Sequence, residues 1–285
     1  MTFPTRTWIR PSIWTGLLLA ALVVAACGAP APLIPTPTPE TPPEAVTTLR
    51  VVCPESLLPA LQTAASAYGR QNANAEISVF PRADAQALRS LRQGDADIAV
   101  LTWFAETLPE EAWARPLARD GLAIVVNPQN GLQGITLTQL RDLYQGRLDD
   151  WGSWGGLPGP PQLVSREASS GVAGYFQAWV MRDARVSLNA LVAPSSAAML
   201  EFVDEDSLAV GYVSSAWVDG RVRALAVDGV PPVGEAVAAG LYPLTRTHFV
   251  VTLGEPEGAQ RDFVEWLLGP GGQKVLQSHG FLKGE

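Results

Sequence analysis

Only two cysteines, Cys27 and Cys53, and two histidines, His248 and His279, occur in the 285 residues. No His/Cys/carboxylate cluster has metal-ligand spacing, so neither a metal nor another cofactor is expected. The Gly-x-Ser-x-Gly elbow is missing, and neither histidine has a recognisable orienting carboxylate. Both absences argue against a serine hydrolase built on Ser169 or Ser170, and no enzyme activity is expected. The apolar run from Ile13 to Ala26 is too short for a comfortable membrane span. Charge is sparse, at 17% of residues, and acidic in balance, with a net charge of −8. That balance argues against nucleic acid and against any broad polyanion surface as a partner. It leaves one small anion open, because a local seat of N–H dipoles works whatever the global sign. No internal repeat is present.

What is there begins with export. Arg6 and Arg10 precede the apolar run, which ends in small residues, the pattern of a secretory signal peptide over residues 1–26. Val24-Ala25-Ala26-Cys27 resembles a bacterial lipobox, with lipid carried by the Cys27 thiol; the other reading is an ordinary signal peptide in which Cys27 is incidental. Residues 27–46 hold seven prolines from Pro30 to Pro43 and read as an extended tether that builds no core. Lipid, tether and globular remainder together favour a chain anchored on the outer face of the cell membrane. Removing residues 1–26 lowers the basic residues from 20 to 18 against 28 acids, a mature charge of −10. With Cys27 lipidated, Cys53 has no disulfide partner and reads as a buried, inert thiol.

From Thr47 the chain alternates between strand and helix patterns. Strands are predicted at 49–53, 76–80, 97–101, 121–127, 162–164, 207–213, 222–227 and 247–253. Helices are predicted at 54–70, 84–92 and 138–144, after Gly171, and over 256–277 with a break at Gly269-Pro270. Leu57, Leu61, Ala64, Ala65 and Tyr68 form one apolar stripe. The alternation predicts an α/β fold with a mainly parallel sheet.

Ser165-Arg166-Glu167-Ala168-Ser169-Ser170-Gly171 is the segment richest in chemistry. It opens a helix in which Tyr175, Phe176, Trp179 and Val180 repeat at helical spacing. Ser169 or Ser170 is expected to cap that helix, leaving other N–H groups and the positive dipole end as an anion seat. Arg166 brings a forked, permanent charge suited to an oxyanion. The alternative is an ordinary capped helix with an arginine nearby.

Several segments in order resemble the phosphate-binding protein of bacterial phosphate ABC importers and its wider solute-binding family. They are Asn127-Pro128, Ile135 through Gln139-Leu140 and Tyr144-Gln145-Gly146 to Asp150-Trp151, Ser165-Arg166-Glu167 with Ser170-Gly171 and Phe176, Leu208 to Val213, Asp228 to Pro231, Tyr242 to Arg246, and Phe263 to Leu268 through Gly280-Phe281. The resemblance implies a two-lobed periplasmic-binding-protein-like clamp of class II with a two-strand hinge. Lobe one would hold residues 47–124 and 247–285, and lobe two residues 125–246. Such a protein captures a small oxyanion, phosphate first, and as a monomer delivers it to the permease of an ABC importer. Arg166, Ser170 and Gly171 match the family's ligand loop, and Ser56 falls near the hydroxyl of its first loop.

Departures accompany the resemblance. Val172 replaces the family's threonine, keeping the N–H and losing the hydroxyl. Glu55 would repel an anion if it pointed inwards. The proton-accepting aspartate of lobe one falls near Thr102; Asp84 could take over its role and Arg82 could add charge from lobe one, and the alternative for that pair is a solvated loop and a helix N-cap. These departures keep open a diverged sensor or interaction domain with weak or no oxyanion affinity. Among the aromatics, Trp103-Phe104 faces the expected cleft as a possible organic-ligand contact.

Overall fold

Val- and Ile-rich runs build one mixed sheet that carries the fold. In the computed structural model, residues 46–102 and 108–284 are described; Cys27, the tether and Trp103-Phe104 lie outside them. β1 (Thr47–Cys53) lies parallel to β2 (Ala75–Pro81) and β3 (Ile98–Leu101), with α1 (Leu58–Gly69) and α2 (Asp84–Gln93) as the crossovers. A 3-10 turn, Glu55–Leu57, separates β1 from α1, because Pro54 stops the strand and Pro59 starts the helix. The stripe predicted on this segment is buried at all five positions.

β4 (Ala112–Val126) is fifteen residues long. After it come β5 (Gly134–Ile135), α3 (Leu137–Tyr144), β6 (Gln162–Arg166) and α4 (Gly171–Phe176), which runs on into a π-helical turn, Gln177–Met181. Then follow β7 (Leu191–Ala193), α5 (Ser196–Glu205), β8 (Ala209–Ser214), β9 (Arg223–Ala224), β10 (Ala226–Val227) and α6 (Gly234–Ala238). β11 (Thr245–Leu253), α7 (Gly258–Leu268), α8 (Pro270–Ser278) and β12 (Leu282–Lys283) complete the chain. Among the described residues no helix is long and apolar enough to cross a membrane.

The strand order is β2-β1-β3-β11-β4-β8-β6-β7. β1 to β3 are mutually parallel, as are β6 with β7 and with β8, but β11 runs antiparallel to β3 and β4, and β4 antiparallel to β8. The sheet is therefore mixed rather than mainly parallel, because two long strands cross between its halves. Two groups of apolar residues flank the crossing. One gathers Val51, Leu61, Ile98, Val250, Phe263 and Leu276; the other gathers Ile124, Leu140, Tyr144, Trp151, Phe176 and Tyr212.

β4 begins nine residues earlier than the apolar pattern at Gly121 indicates. Arg115, Arg119 and Asp120 interrupt its hydrophobicity, and pairing with β11 supplies what the local pattern lacks. The register shifts between His248 and Phe249, so Pro116 sits opposite Phe249 and Leu117 is the unmatched residue, turned into the first core.

The crossing strands are tied by a wholly buried polar cluster. Arg246 Nε donates to Asp120 Oδ1 at 2.9 Å, Arg246 Nη2 pairs with Asp120 Oδ2, and Ser214 Oγ donates to Oδ2. His248 Nε2 lies 3.0 Å from Asp120 Oδ1, and its Nδ1 lies 3.2 Å from Thr102 Oγ1. These contacts suit a neutral imidazole that donates to Asp120 and accepts from Thr102. Burial pushes the Asp120 carboxyl up, but Arg246 and His248 outweigh it and hold it well below the ordinary carboxylate range. Burial lowers the pKa of His248, Asp120 pulls it back up, and the net result lies below the usual histidine value.

Two expectations follow from this cluster. Asp120→Asn leaves Arg246 buried without its counter-charge and should cost about 3–5 kcal/mol in urea unfolding. As pH falls below about 6.5, the unfolded chain protonates the imidazole that the folded chain keeps neutral, so stability declines by up to about 1.4 kcal/mol per pH unit. The depressed Asp120 adds a further loss below about pH 4. Urea midpoints for His248→Gln should show a flatter decline as pH falls below about 6.5 than the parent chain.

Candidate functional site

The site forms where β6 ends and α4 begins. After Arg166 the chain turns, with the Ser170 N–H donating to the Glu167 carbonyl at 2.9 Å, and Gly171 opens the helix. Ser170 is the N-cap residue, yet its side chain makes no capping bond, contrary to the expectation from sequence. Ser170, with Ser169, Gly171 and Val172, lines a cavity of about 280 Å³. That is room for roughly nine waters at ~30 Å³ each, ample for a small oxyanion and part of its hydration shell. The opening N–H groups of α4 have no carbonyl one turn earlier in the helix and are available as donors there.

The opposite wall comes from the turns that follow β1 and β2. Glu55 and Arg82 both line the cavity. Arg82 is exposed and donates from Nη1 to the Pro81 carbonyl at 2.8 Å, so its charge stands at the rim. Asp84, the first residue of α2, is 7% exposed and accepts the Thr102 N–H at 3.2 Å. The solvated-loop alternative fits Arg82, but the helix-cap alternative does not fit Asp84: Ala83 is the N-cap. A Cβ on Gly171 would lie 3.6 Å from Asp84 Oδ1, so this carboxylate stands directly against the start of α4.

Arg166 is at the cavity, with its side chain 1% exposed. Its backbone N–H donates to Tyr212 Oη at 3.1 Å, and Ser165 Oγ shares a 2.8 Å bond with the same hydroxyl, which fixes the end of β6. The guanidinium is already paired. Nε and Nη2 fork onto Glu167 at 3.1 and 3.2 Å, and Nη1 lies 3.4 Å from Glu55 Oε2 and 3.5 Å from Ser196 Oγ. Val172 is buried, so its contribution is the N–H alone.

Ser56 and Thr102 are not among the cavity-lining residues. Ser56 is buried on the other side of the turn, where its carbonyl accepts from Trp217 Nε1 at 2.9 Å and its Oγ finds no partner among the described residues. Glu55 stands at the wall instead. Thr102 acts one step back, between Asp84 and His248. Cys53 is buried and unpaired, and burial, with the Glu55 charge second, pushes its thiol up to about 12.

The sequence expectation that neither histidine has an orienting carboxylate fails for His248, which has Asp120. Both of its ring nitrogens are engaged, by Asp120 and Thr102, so it does not serve Ser169 or Ser170 as a base. Among the described residues no group of three His, Cys, Asp or Glu could hold a metal. Sequence reasoning missed Ser196, the first residue of α5, whose N–H and hydroxyl both meet Glu55. The signal was present: Ser195 precedes Met199, Leu200 and Val203 at helical spacing, and its side chain does cap α5.

Known proteins share this architecture. The phosphate-binding protein PstS of Bacillus subtilis is 27% identical over 234 residues, covering 80% of this chain and 77% of the relative. Its namesake in Pseudomonas aeruginosa is 25% identical over 249 residues, covering 76% of this chain and 77% of the relative. The crystal structure of an ABC-type phosphate transport receptor from Vibrio cholerae superposes with a TM-score of 0.74 at 26% identity, over 82% of this chain and 99% of that one. A putative phosphate ABC transporter substrate-binding protein from Clostridium perfringens, solved with bound phosphate, has the same fold, with a TM-score of 0.75 at 24% identity over 83% of this chain and 99% of that one. The two-lobed clamp expected from sequence is the architecture of these receptors, and the model of the PBP superfamily domain matches residues 38–270. With most of its length inside that match, the chain belongs to the PBP superfamily.

Proposed function

We propose that this chain is an extracytoplasmic solute-binding protein that captures a small oxyanion, phosphate in the first place, and hands it to the permease of an ABC-type importer. The observation that carries the reading is the meeting of Arg166 and the Ser169–Val172 start of α4 around one cavity of about 280 Å³, with the Asp84 carboxylate against Gly171. Relatives named for phosphate binding and phosphate transport support both the ligand and its destination. In this reading residues 47–124 and 247–285 form one lobe, residues 125–246 the other, and β4 with β11 the hinge; the separate apolar cores flanking these strands support that division. The signal peptide and a lipid on Cys27 would hold a monomeric receptor at the outer membrane face through the 27–46 tether.

The oxyanion's charge would be met by α4 amides, the Ser170 hydroxyl and Arg166, with Arg82 adding charge at the rim. Asp84 would accept the proton of hydrogen phosphate. A fully ionised sulfate offers no such proton and would face a repelling carboxylate, which sets the preference between the two. A second reading is a diverged sensor or interaction domain with little oxyanion affinity. Its support is the prior pairing of Arg166 with Glu55 and Glu167.

Calorimetric titration with phosphate, sulfate, molybdate and tungstate tests the proposal. Phosphate should release the most heat, and silence from all four at millimolar concentration would favour the second reading. Arg166→Ala should weaken phosphate binding by about 3 kcal/mol, provided circular dichroism shows the fold retained. Asp84→Asn should narrow the preference for phosphate over sulfate by about tenfold or more, read as the ratio of the two dissociation constants.

A further inference from the structure

Glu55 and the groups it touches stand on opposite walls of the cavity. Glu55 lies on the turn between β1 and α1, whereas Arg166 ends β6 and Ser196 opens α5. Its Oε1 accepts the Ser196 N–H at 3.2 Å. Its Oε2 accepts from Ser196 Oγ at 2.7 Å and lies 3.4 Å from Arg166 Nη1. A helix N–H, a serine hydroxyl and a guanidinium are the donors that an oxyanion would seek. Here a carboxylate of the chain itself has all three.

With Glu167 forked onto Nε and Nη2 and Glu55 against Nη1, each nitrogen of the Arg166 guanidinium already meets a carboxylate. An oxyanion that takes a two-point hold on the guanidinium must therefore replace one of them. Glu167 holds one edge, through two N–H groups, as a sequence neighbour, so its pairing closes no loop. Glu55 holds Arg166 by one longer contact from 111 residues away; both carboxylates are part-exposed, at 30% for Glu55 and 37% for Glu167, so the weaker hold rather than exposure separates them. Glu55 is the one placed to leave.

We propose that Glu55 is a resident anion that occupies Arg166 and the start of α5 in the ligand-free protein, ties the two cavity walls together, and lets go of Arg166 when an oxyanion enters. It thereby sets the affinity of the site below what its donors alone would give, since each binding event must first break the internal pair. The inference rests on the oxyanion reading above and adds to it the residue that limits affinity. Glu55→Gln keeps the length and polarity of the side chain but has no charge to hold the guanidinium; Glu55→Ala removes the tie altogether.

The experiment titrates phosphate into the full chain, Glu55→Gln and Glu55→Ala, and measures the radius of gyration of each ligand-free protein by X-ray scattering. Both variants should bind phosphate at least about tenfold tighter, as expected for removal of a competing charge–charge contact of this kind. Both should also be more expanded than the parent chain without ligand. Phosphate binding that is unchanged or weaker in both variants overturns the proposal. Should none of the three proteins bind phosphate or sulfate, the oxyanion reading fails separately, and a radius of gyration equal to that of the parent chain then overturns the internal tie.

Discussion

A single buried carboxylate, Asp120, constrains both walls of the cavity. It has no water to solvate it, and it is tolerated because β11 brings Arg246 and His248 to the same point. From there two chains of contact reach the site. One runs through His248 to Thr102, whose N–H holds Asp84. The other runs through Arg246, which lies 5.7 Å under the ring of Tyr175, while the Tyr175 hydroxyl donates to the Thr245 carbonyl at 2.9 Å. Tyr175 belongs to α4, so the crossing strands orient the helix that carries the amide donors as well as the acidic residue facing it. Each member of this network limits the geometry of the next, while Arg246 Nη1 has no hydrogen-bond partner among the described residues.

The cavity itself is not a positive basin. Glu55, Glu167 and Asp84 surround or approach it, against Arg166 and Arg82, on a chain whose net charge is −8. On the proposed reading, recognition of an anion here would depend on directed donors at short range rather than on a favourable field at long range. Attraction from a distance is correspondingly weak, and selectivity falls to the number and placement of donors and acceptors inside.

Elements with a complete local pattern were legible from sequence. The Leu57–Tyr68 stripe, the strands at 49–53 and 97–101, and the break at Gly269-Pro270 each declare themselves through spacing or punctuation. The first half of β4 did not, because Arg115, Pro116, Arg119 and Asp120 suit a strand only once β11 lies beside it. The helix at 196–205 was passed over although Ser195 offered a cap. At the site, the loop around Arg166 and the inward hazard of Glu55 could be read from residue types. That Glu55 reaches Ser196, and His248 reaches Asp120, depends on pairings 141 and 128 residues apart, which no local spacing encodes.

The position of β11 has a consequence for how the chain becomes structured. It is one of the last strands in sequence, yet it lies in the interior of the sheet between β3 and β4. β1, β2 and β3 emerge first, but the core beneath them also needs Val250, Phe263, Leu267 and Leu276. The middle of the chain, from β5 to β10, can collapse around Tyr144, Phe176 and Tyr212 before that closing strand exists. The early strands therefore cannot complete their core until the C-terminal residues thread in beside them, at the cost in rate that such distant pairing brings.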